Sequence, residues 1–379
     1  MRTTLGELFE IGSGGTPSKT HPEYYGGDIP WVKTGDLKEE YLFSVEDYIT
    51  EEGLNNSSAK MYHPGTVLIA MYGATIGATS ILKIDACTNQ ACAAFKPCKK
   101  VMPEYLYYFL RSKKKSFISD GVGGAQPNIS AGYLKKVSIE IRPIEDQEKI
   151  VTVLDGLNRI VQNRKNIIGE LDTLIKARFV EMFGDPEINP KGWKKESLKD
   201  HADVIVGYPF SSEGYTSEGI DIVGGYNLMQ GYIQWDESKH WPDSEGYEQY
   251  MLQANDIVMA MDRPWVNGGF KIARVEKTHL PALLIQRTAC IRGKGLEQEF
   301  LHSLLDTQRF AEHCNITGSL VPHISNKDIN SFPVIIPPIE EQRRFTAFVE
   351  QVDKSKVVIQ KALDETQVLF DSLMQEYFG

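Results

Sequence analysis

The chain has 379 residues, is 41% hydrophobic, and carries a formal net charge of −10 with five cysteines. That length predicts two or three domains with real cores, and the acidic balance argues against a protein that tracks nucleic-acid phosphates unaided. No N-terminal apolar run reads as a signal peptide and no 18-residue apolar stretch reads as a span, and Cys87, Cys92, Cys98, Cys290 and Cys314 show neither C-x-x-C nor zinc-ligand spacing, so they read as reduced thiols of a cytoplasmic protein.

Residues 1–142 read as a first globular part. It opens on a glycine-rich loop, Gly14-Gly15-Thr16-Pro17-Ser18, followed by Gly26-Gly27-Asp28-Ile29-Pro30-Trp31. An apolar strand near 66–71 turns through Gly73-Ala74-Thr75-Ile76-Gly77 into a second strand at 78–84, a hairpin signal. A helix is predicted from near Pro103 to near Asp120. Basic clusters stand at Arg111 to Lys115 and at Lys135-Lys136, then again at Lys191 with Lys194-Lys195. Such runs serve either a solvated face or phosphate contacts. Basic and acidic groups nearly balance over 1–142, and the acid excess is concentrated in the later part of the chain.

Residues 143–184 read as one long helix. Positions Ile150, Leu154, Leu157, Val161, Arg164, Ile168, Leu171, Ile175, Arg178 and Met182 alternate spacings of four and three, and eight are apolar. That is a heptad seam, which buries one stripe against another helix. Pro143 suits the first turn and the acids after it favour the positive end of the helix dipole. From 150 to 182 the rise is roughly 48 Å at about 1.5 Å per residue. Residues 185–337 form a second globular part with an entry loop Gly207-Tyr208-Pro209-Phe210-Ser211 and a turn Asp262-Arg263-Pro264-Trp265. Residues 338–379 are a second long helix, with a seam of Phe345, Val349, Val352, Lys356, Ile359, Leu363, Thr366, Phe370, Leu373 and Tyr377.

The second half repeats the first. Ile141 to Gly184 aligns without a gap on Ile336 to Gly379 at an offset of 195, from a Pro-Ile-Glu-acid-Gln start (Pro143 to Gln147, Pro338 to Gln342) to Phe183-Gly184 and Phe378-Gly379. The globular parts repeat more loosely. Tyr105-Leu106 answers Phe300-Leu301, Pro127-Asn128-Ile129-Ser130 answers Pro322-His323-Ile324-Ser325, and Gly65 to Met71 matches Asn255 to Met261 at an offset of 190. The expected architecture is mixed α/β (α+β). Two similar globular domains each lead into a long helix, and the helices pair as an antiparallel coiled coil with pseudo-two-fold symmetry. One scaffold used twice with unlike loops suggests one reading task applied to two targets.

With these motifs the chain resembles the specificity (S) subunit of type I restriction–modification systems over its whole length. The Pro-Ile-Glu-x-Gln helices ending in Phe-Gly carry the resemblance, with Asp185-Pro186 after the first. The Gly14 to Ser18 loop, the Gly73 to Gly77 turn and Gln126-Pro127-Asn128-Ile129-Ser130 support it. The second half departs from these motifs. The resemblance implies two target recognition domains, at 1–142 and 185–337, that read a bipartite target in double-stranded DNA. It also implies that the helices at 143–184 and 338–379 are a spacer docking two methyltransferase (M) subunits. Those use S-adenosylmethionine, and restriction (R) subunits use ATP and Mg. No catalytic residue and no membrane contact is implied.

The residues agree with a non-catalytic reading. Neither an Asn-Pro-Pro-aromatic motif nor a cofactor glycine loop occurs. The Gly14 to Thr20 segment lacks the glycine before Lys-Ser/Thr that a phosphate loop needs, and the histidines show no metal spacing. The candidates for DNA contact are Ser13, Thr16, Ser18, Lys19, Lys33, Thr34, Tyr72, Thr75, Gln126 and Asn128 in the first domain. In the second they are Tyr208, Ser211, Tyr226, Asn227, Arg263, Trp265 and His323. Hydroxyls and cations suit phosphates; Arg, Asn and Gln suit base edges. Turn chemistry serves as well for the glycines, capping for Gln126 and Asn128, and burial for Trp265 and Tyr226. The competing function is a coiled-coil scaffold whose globular parts bind something other than DNA.

Overall fold

A computed structural model of the chain describes residues 2–121, 128–266, 269–314 and 323–379. It divides into two compact units, Met1–Lys165 with Lys361–Gly379, and Asn166–Gln360. Four helices organise the two units: α1 (Pro103–Ser112), α2 (Ile144–Phe183), α3 (Gln298–Leu305) and α4 (Ile339–Phe378). The long helices α2 and α4 each contribute one part to each unit.

In the first unit one sheet runs, in spatial order, Ile11–Ser13, Cys92–Phe95, Val67–Ala70, Thr79–Leu82 and Tyr41–Leu42. Val67–Ala70 and Thr79–Leu82 form the expected antiparallel hairpin, with Val67 opposite Ile81. Every residue of both strands is buried, which explains why Val67–Ala70 is a continuous apolar run in place of alternation. A second sheet runs Tyr48–Ile49, Tyr25–Val32, Ala86–Thr88 and Met61–Tyr62, its two central strands parallel.

The second unit repeats the first sheet's order: Ala202–Val206, Thr288–Gly293, Ile257–Ala260, Ile272–Arg274. It also repeats the parallel pair of the second sheet, as Ile220–Val223 with Ala282–Leu284. So the loose sequence repeat is a repeat of topology.

The tight repeat has its own cause. In the first unit Gln147 is fully buried. Its carbonyl oxygen accepts from the Met102 N–H at 2.9 Å, and its amide donates to Lys100 and Arg142 carbonyls at 2.9 and 2.8 Å. Met102 is the N-cap of α1 and lacks a side-chain cap of its own. In the second unit Gln342 accepts from the N–H of Glu297, the N-cap of α3, and donates to Pro337, both at 2.9 Å. The glutamine of each Pro-Ile-Glu-x-Gln start is thus a buried clamp between a long helix and the globular part before it.

The Phe-Gly ends are aromatic plugs. In the first unit Phe378 packs on Tyr105 and Phe109 with centroids at 5.0 and 6.2 Å. In the second, Phe183 packs on Phe300 and Phe345 at 4.7 and 5.6 Å. Since the start of α2 shares a core with the end of α4 in the first unit, and the end of α2 with the start of α4 in the second, the helices run antiparallel within each.

The structure places Ile150, Leu154, Val161, Phe345, Val349, Val352, Leu363 and Phe370 among the buried seam residues. Leu157, Ile168, Leu171, Ile175, Ile359 and Leu373 are half-buried. Three polar seam residues are used. In the first unit Arg164 donates to the Ala362 carbonyl and the Thr366 hydroxyl, and in the second Lys356 pairs with Asp172. The heptad count drifts at each helix end. There the buried positions are Phe179 and Phe183, and Met374 and Phe378, while Arg178, Met182 and Tyr377 are only half-buried. A straight helix falls out of a strict heptad by about 20° per repeat, and the last turns face a globular core in place of the seam.

Candidate nucleic-acid interface

In each unit three loops meet at one edge of the first sheet. In the first unit the entry loop lies against Thr88: the Gly15 N–H donates to the Thr88 carbonyl at 2.9 Å. A Cβ on Gly14 would sit 1.7 Å from that carbonyl oxygen, and one on Gly15 would sit 2.2 Å from Ser58 Oγ. Only glycine permits this approach. The packing brings the Thr16 hydroxyl onto the side-chain oxygen of Gln90. The next loop is fixed by Met71, whose N–H donates to Ala91 at 2.8 Å and whose carbonyl accepts from Ile129 at 3.0 Å. Tyr72 then stands opposite Asn128 in an isolated antiparallel bridge.

The second unit builds the same edge from different residues. A Cβ on Gly207 would sit 2.1 Å from the Ile285 carbonyl oxygen, and the Gln286 N–H donates to Tyr208 at 2.8 Å. Met261 donates to the Arg287 carbonyl at 2.9 Å and accepts from Ile324 at 2.8 Å. Asp262 stands opposite His323. By backbone bonding, Arg287 therefore takes the place of Ala91, Asp262 that of Tyr72, and His323 that of Asn128.

The side chains differ in kind. At these places the first unit carries neutral side chains: Tyr72 and Asn128 are exposed, and Thr16 and Thr75 half-buried. The second is ionic: Asp262 binds His323 Nδ1 through one oxygen and Arg287 through the other, the latter at 2.8 Å. Arg263 is exposed beside them. Arg263 and Arg287 have φ of +45° and +63°, the left-handed region that side chains other than Gly, Asn and Asp rarely adopt.

The remaining sequence candidates are unevenly placed. Ser18, Lys19 and Ser211 are exposed on the entry loops, and Ser13, Thr34 and Tyr208 are half-buried there or nearby. Lys33 is engaged, with its ammonium 2.5 Å from Asp47 and 5.3 Å from the Trp31 ring centre. Tyr226 exposes part of its ring, but its hydroxyl donates to Ile222 at 2.8 Å, and burial pushes its pKa up to about 12. Trp265 is half-buried and stacked 6.4 Å from Phe270. Gln126 lies outside the described residues.

One candidate is corrected. Asn227 is fully buried. Its oxygen accepts from Gly224 at 2.9 Å and its amide donates to Ile222 and Ser238 at 3.2 and 3.0 Å. Its donors and acceptor are consumed in shaping the 224–228 turn, so none is left for DNA.

Two cations of the basic clusters cap helices. Lys113 donates to the Phe378 carbonyl at 2.5 Å in the first unit. In the second, Lys191 donates to Glu181 and Met182 at 3.1 and 2.7 Å. Cations are favoured at helix C-termini, where carbonyls lack partners. Sequence reasoning missed Arg287 and Gln90. Their only signal was polarity within a turn between two apolar strands.

Among the described residues the buried cysteines beside this edge are not primed for covalent chemistry. Burial pushes the thiols of Cys87 and Cys92 up to about 12, far from the low values a nucleophilic cysteine needs. Among the described residues no group of three or more His, Cys, Asp or Glu is placed to hold a metal. No helix among them is long and apolar enough to cross a membrane.

A family model described as the type I restriction modification DNA specificity domain matches residues 1–173 and again 190–366. The chain belongs to that family. The match falls twice, once on each copy of the repeat, and takes in both edges built above. It makes the chain a DNA specificity subunit, a recognition component and not an enzyme. Among relatives, the MjaIX specificity subunit of Methanocaldococcus jannaschii is 27% identical over 97% of this chain and 90% of its own length. The EcoAI specificity subunit of Escherichia coli is 30% identical over 57% of this chain and 39% of its own. The S subunit of M. genitalium has a similar fold, with a TM-score of 0.56 at 15% identity, covering 100% of this chain and 96% of that one. A chain from a type I restriction–modification complex assembly study gives 0.60 at 17% identity, covering 100% and 97%.

Proposed function

We propose that each unit reads one half of a bipartite sequence in double-stranded DNA through the edge where its three loops meet. The recognition domains would be residues 1–142 and 185–337, and the spacer the helices at 143–184 and 338–379. One observation carries this: the same backbone bonds hold Tyr72, Asn128 and Ala91 in one unit and Asp262, His323 and Arg287 in the other. A stability constraint would favour like residues at like places. Unlike donor and acceptor sets on one scaffold suit the reading of unlike bases.

The chain has no chemistry of its own, so methylation and cleavage fall to partners. We assign S-adenosylmethionine to two M subunits and ATP with Mg to R subunits, all acting with this chain in the cytoplasm. Val153 and Ile160 on the first unit's part of α2, and Ile167 and Leu174 on the second unit's part, are each 41–46% exposed. Exposed aliphatic side chains on a helix support M-subunit docking there. Because the chain is acidic, those partners supply much of the phosphate contact.

The test is methylome sequencing of cells carrying M subunits, with and without this chain. A bipartite motif that gains methyladenine only with the chain is the expected result. A globally unmethylated genome, or an uninterrupted motif, would refute the reading and favour the protein scaffold.

A further inference from the structure

Arg287 is 72% exposed and paired with Asp262, yet its backbone is left-handed at φ +63°. In this turn a glycine would cost nothing and an asparagine little. An exposed ion pair returns less stability than the strain removes, so stability does not explain an arginine here. The ion pair does something else, which is to orient. Asp262 binds Arg287 through one carboxylate oxygen and His323 Nδ1 through the other. Asp262 Oδ2 lies 2.8 Å from Nη1 of the guanidinium. A guanidinium carries five N–H donors in a planar fork, and a side chain this exposed leaves donors open to a ligand.

We propose that Arg287 is a specificity-determining residue that reads one guanine in the half-site of the second unit, with Asp262 and His323 as its positioning residues. The assignment rests on the proposed function above. A guanidinium fork matches the O6 and N7 acceptors of guanine, a pairing that adenine, thymine and cytosine do not offer in the major groove. The carboxylate beside it is repelled by phosphate oxygens, which favours a base edge over the backbone as the fork's target. In the first unit the equivalent residue is Ala91, so that half-site lacks this contact.

The experiment uses the full chain with its M subunits in cells, read by methylome sequencing. Arg287→Ala should relax one G·C pair in one half-site, raising methylation at sites altered there by ten-fold or more, with the other half-site unchanged. Arg287→Lys should relax the same pair, because a lysine keeps the charge but lacks the fork. Asp262→Asn should relax that pair to a smaller extent. Arg287→Gly removes the strained side chain; it should raise the thermal midpoint of the purified chain while losing the same base pair. A motif unchanged in Arg287→Ala overturns the proposal. So does full rescue by lysine, which would make Arg287 a phosphate contact, and so does relaxation at an A·T pair. If the wild-type chain directs no bipartite methylation at all, the failure lies with the proposed function and not with Arg287.

Discussion

Replacing Gln147 with methionine should unsettle the first unit far more than a one-residue polar change suggests. Methionine matches glutamine in length and flexibility, so packing is nearly conserved. What is lost is hydrogen bonding. The Met102 N–H loses its acceptor, and the carbonyls of Lys100 and Arg142 each lose a donor. An orphaned buried N–H costs about 1–3 kcal/mol. The carbonyls, with two lone pairs each, add roughly 1–2 kcal/mol between them. The expected loss is about 3 kcal/mol. At a slope of about 2 kcal/mol/M in urea, the transition of that unit moves down by roughly 1.5 M. Gln342→Met should move the second unit's transition by a similar or slightly smaller amount, because it releases Glu297 and Pro337. Glu148→Met, at an exposed neighbouring position, is the control and should change little. The assay is urea unfolding followed by tyrosine and tryptophan fluorescence. A midpoint in Gln147→Met within about 0.3 M of wild type, or roughly 0.6 kcal/mol at the same slope, would refute the clamp.

Gly14→Ala places a methyl group 1.7 Å from the Thr88 carbonyl. It should displace the entry loop and lose one half-site in methylome data while the chain still assembles. The isolated chain should bind DNA weakly and the complex with M subunits tightly, with affinity falling steeply as salt rises; nanomolar specific binding by the chain alone in a gel shift would contradict this. Arg263→Ala should relax one half-site by about 1–3 kcal/mol of discrimination, leaving complex size by light scattering unchanged. His302 is held neutral by burial, its pKa pushed down to about 3. Its contribution to stability is present above an unfolded value near 6.5 and is lost as pH falls toward 3. His302→Gln should therefore flatten the acid limb of thermal midpoints measured between those values.

The sequence shows the architecture because heptads, Pro starts, Gly turns and a gapless repeat are local signals. What it hides is non-local. Lys113 looks like part of a phosphate-binding run, yet it caps a helix end 265 residues away. Asn227 looks like a base reader next to Tyr226, yet a buried turn consumes it. Arg287 lies 25 residues from Asp262 in the chain. They meet because the strands Ile257–Ala260 and Thr288–Gly293 are neighbours in the sheet. The heptad pattern also misplaces the last helical turns, since Phe179 and Phe183 answer to the globular core.

A fragment ending at Gly184 tests how much of this logic the repeat carries. It keeps the first globular part and α2 but lacks residues 361–378, which belong to the core of the first unit. By the repeat, the stretch that corresponds to them is 166–183 of the same helix. A second copy of the fragment can therefore offer Ile175, Phe179 and Phe183 where Phe370, Met374 and Phe378 stand. The substitution is imperfect at one place. Thr366, which accepts from Arg164, corresponds to Leu171. A half-buried seam arginine facing leucine loses its hydroxyl acceptor twice in a symmetric pair, at about 1 kcal/mol each. The fragment should dimerise weakly, and Arg164→Ile, which installs the residue found at the corresponding Ile359, should tighten it. On the proposed function, a two-fold dimer of residues 1–184 should read an interrupted palindrome. Light scattering across a concentration series, with methylome sequencing of cells holding the fragment and M subunits, checks both. A fragment that stays monomeric as the Arg164→Ile variant, or that methylates the full chain's asymmetric motif, would refute the equivalence of the two helices.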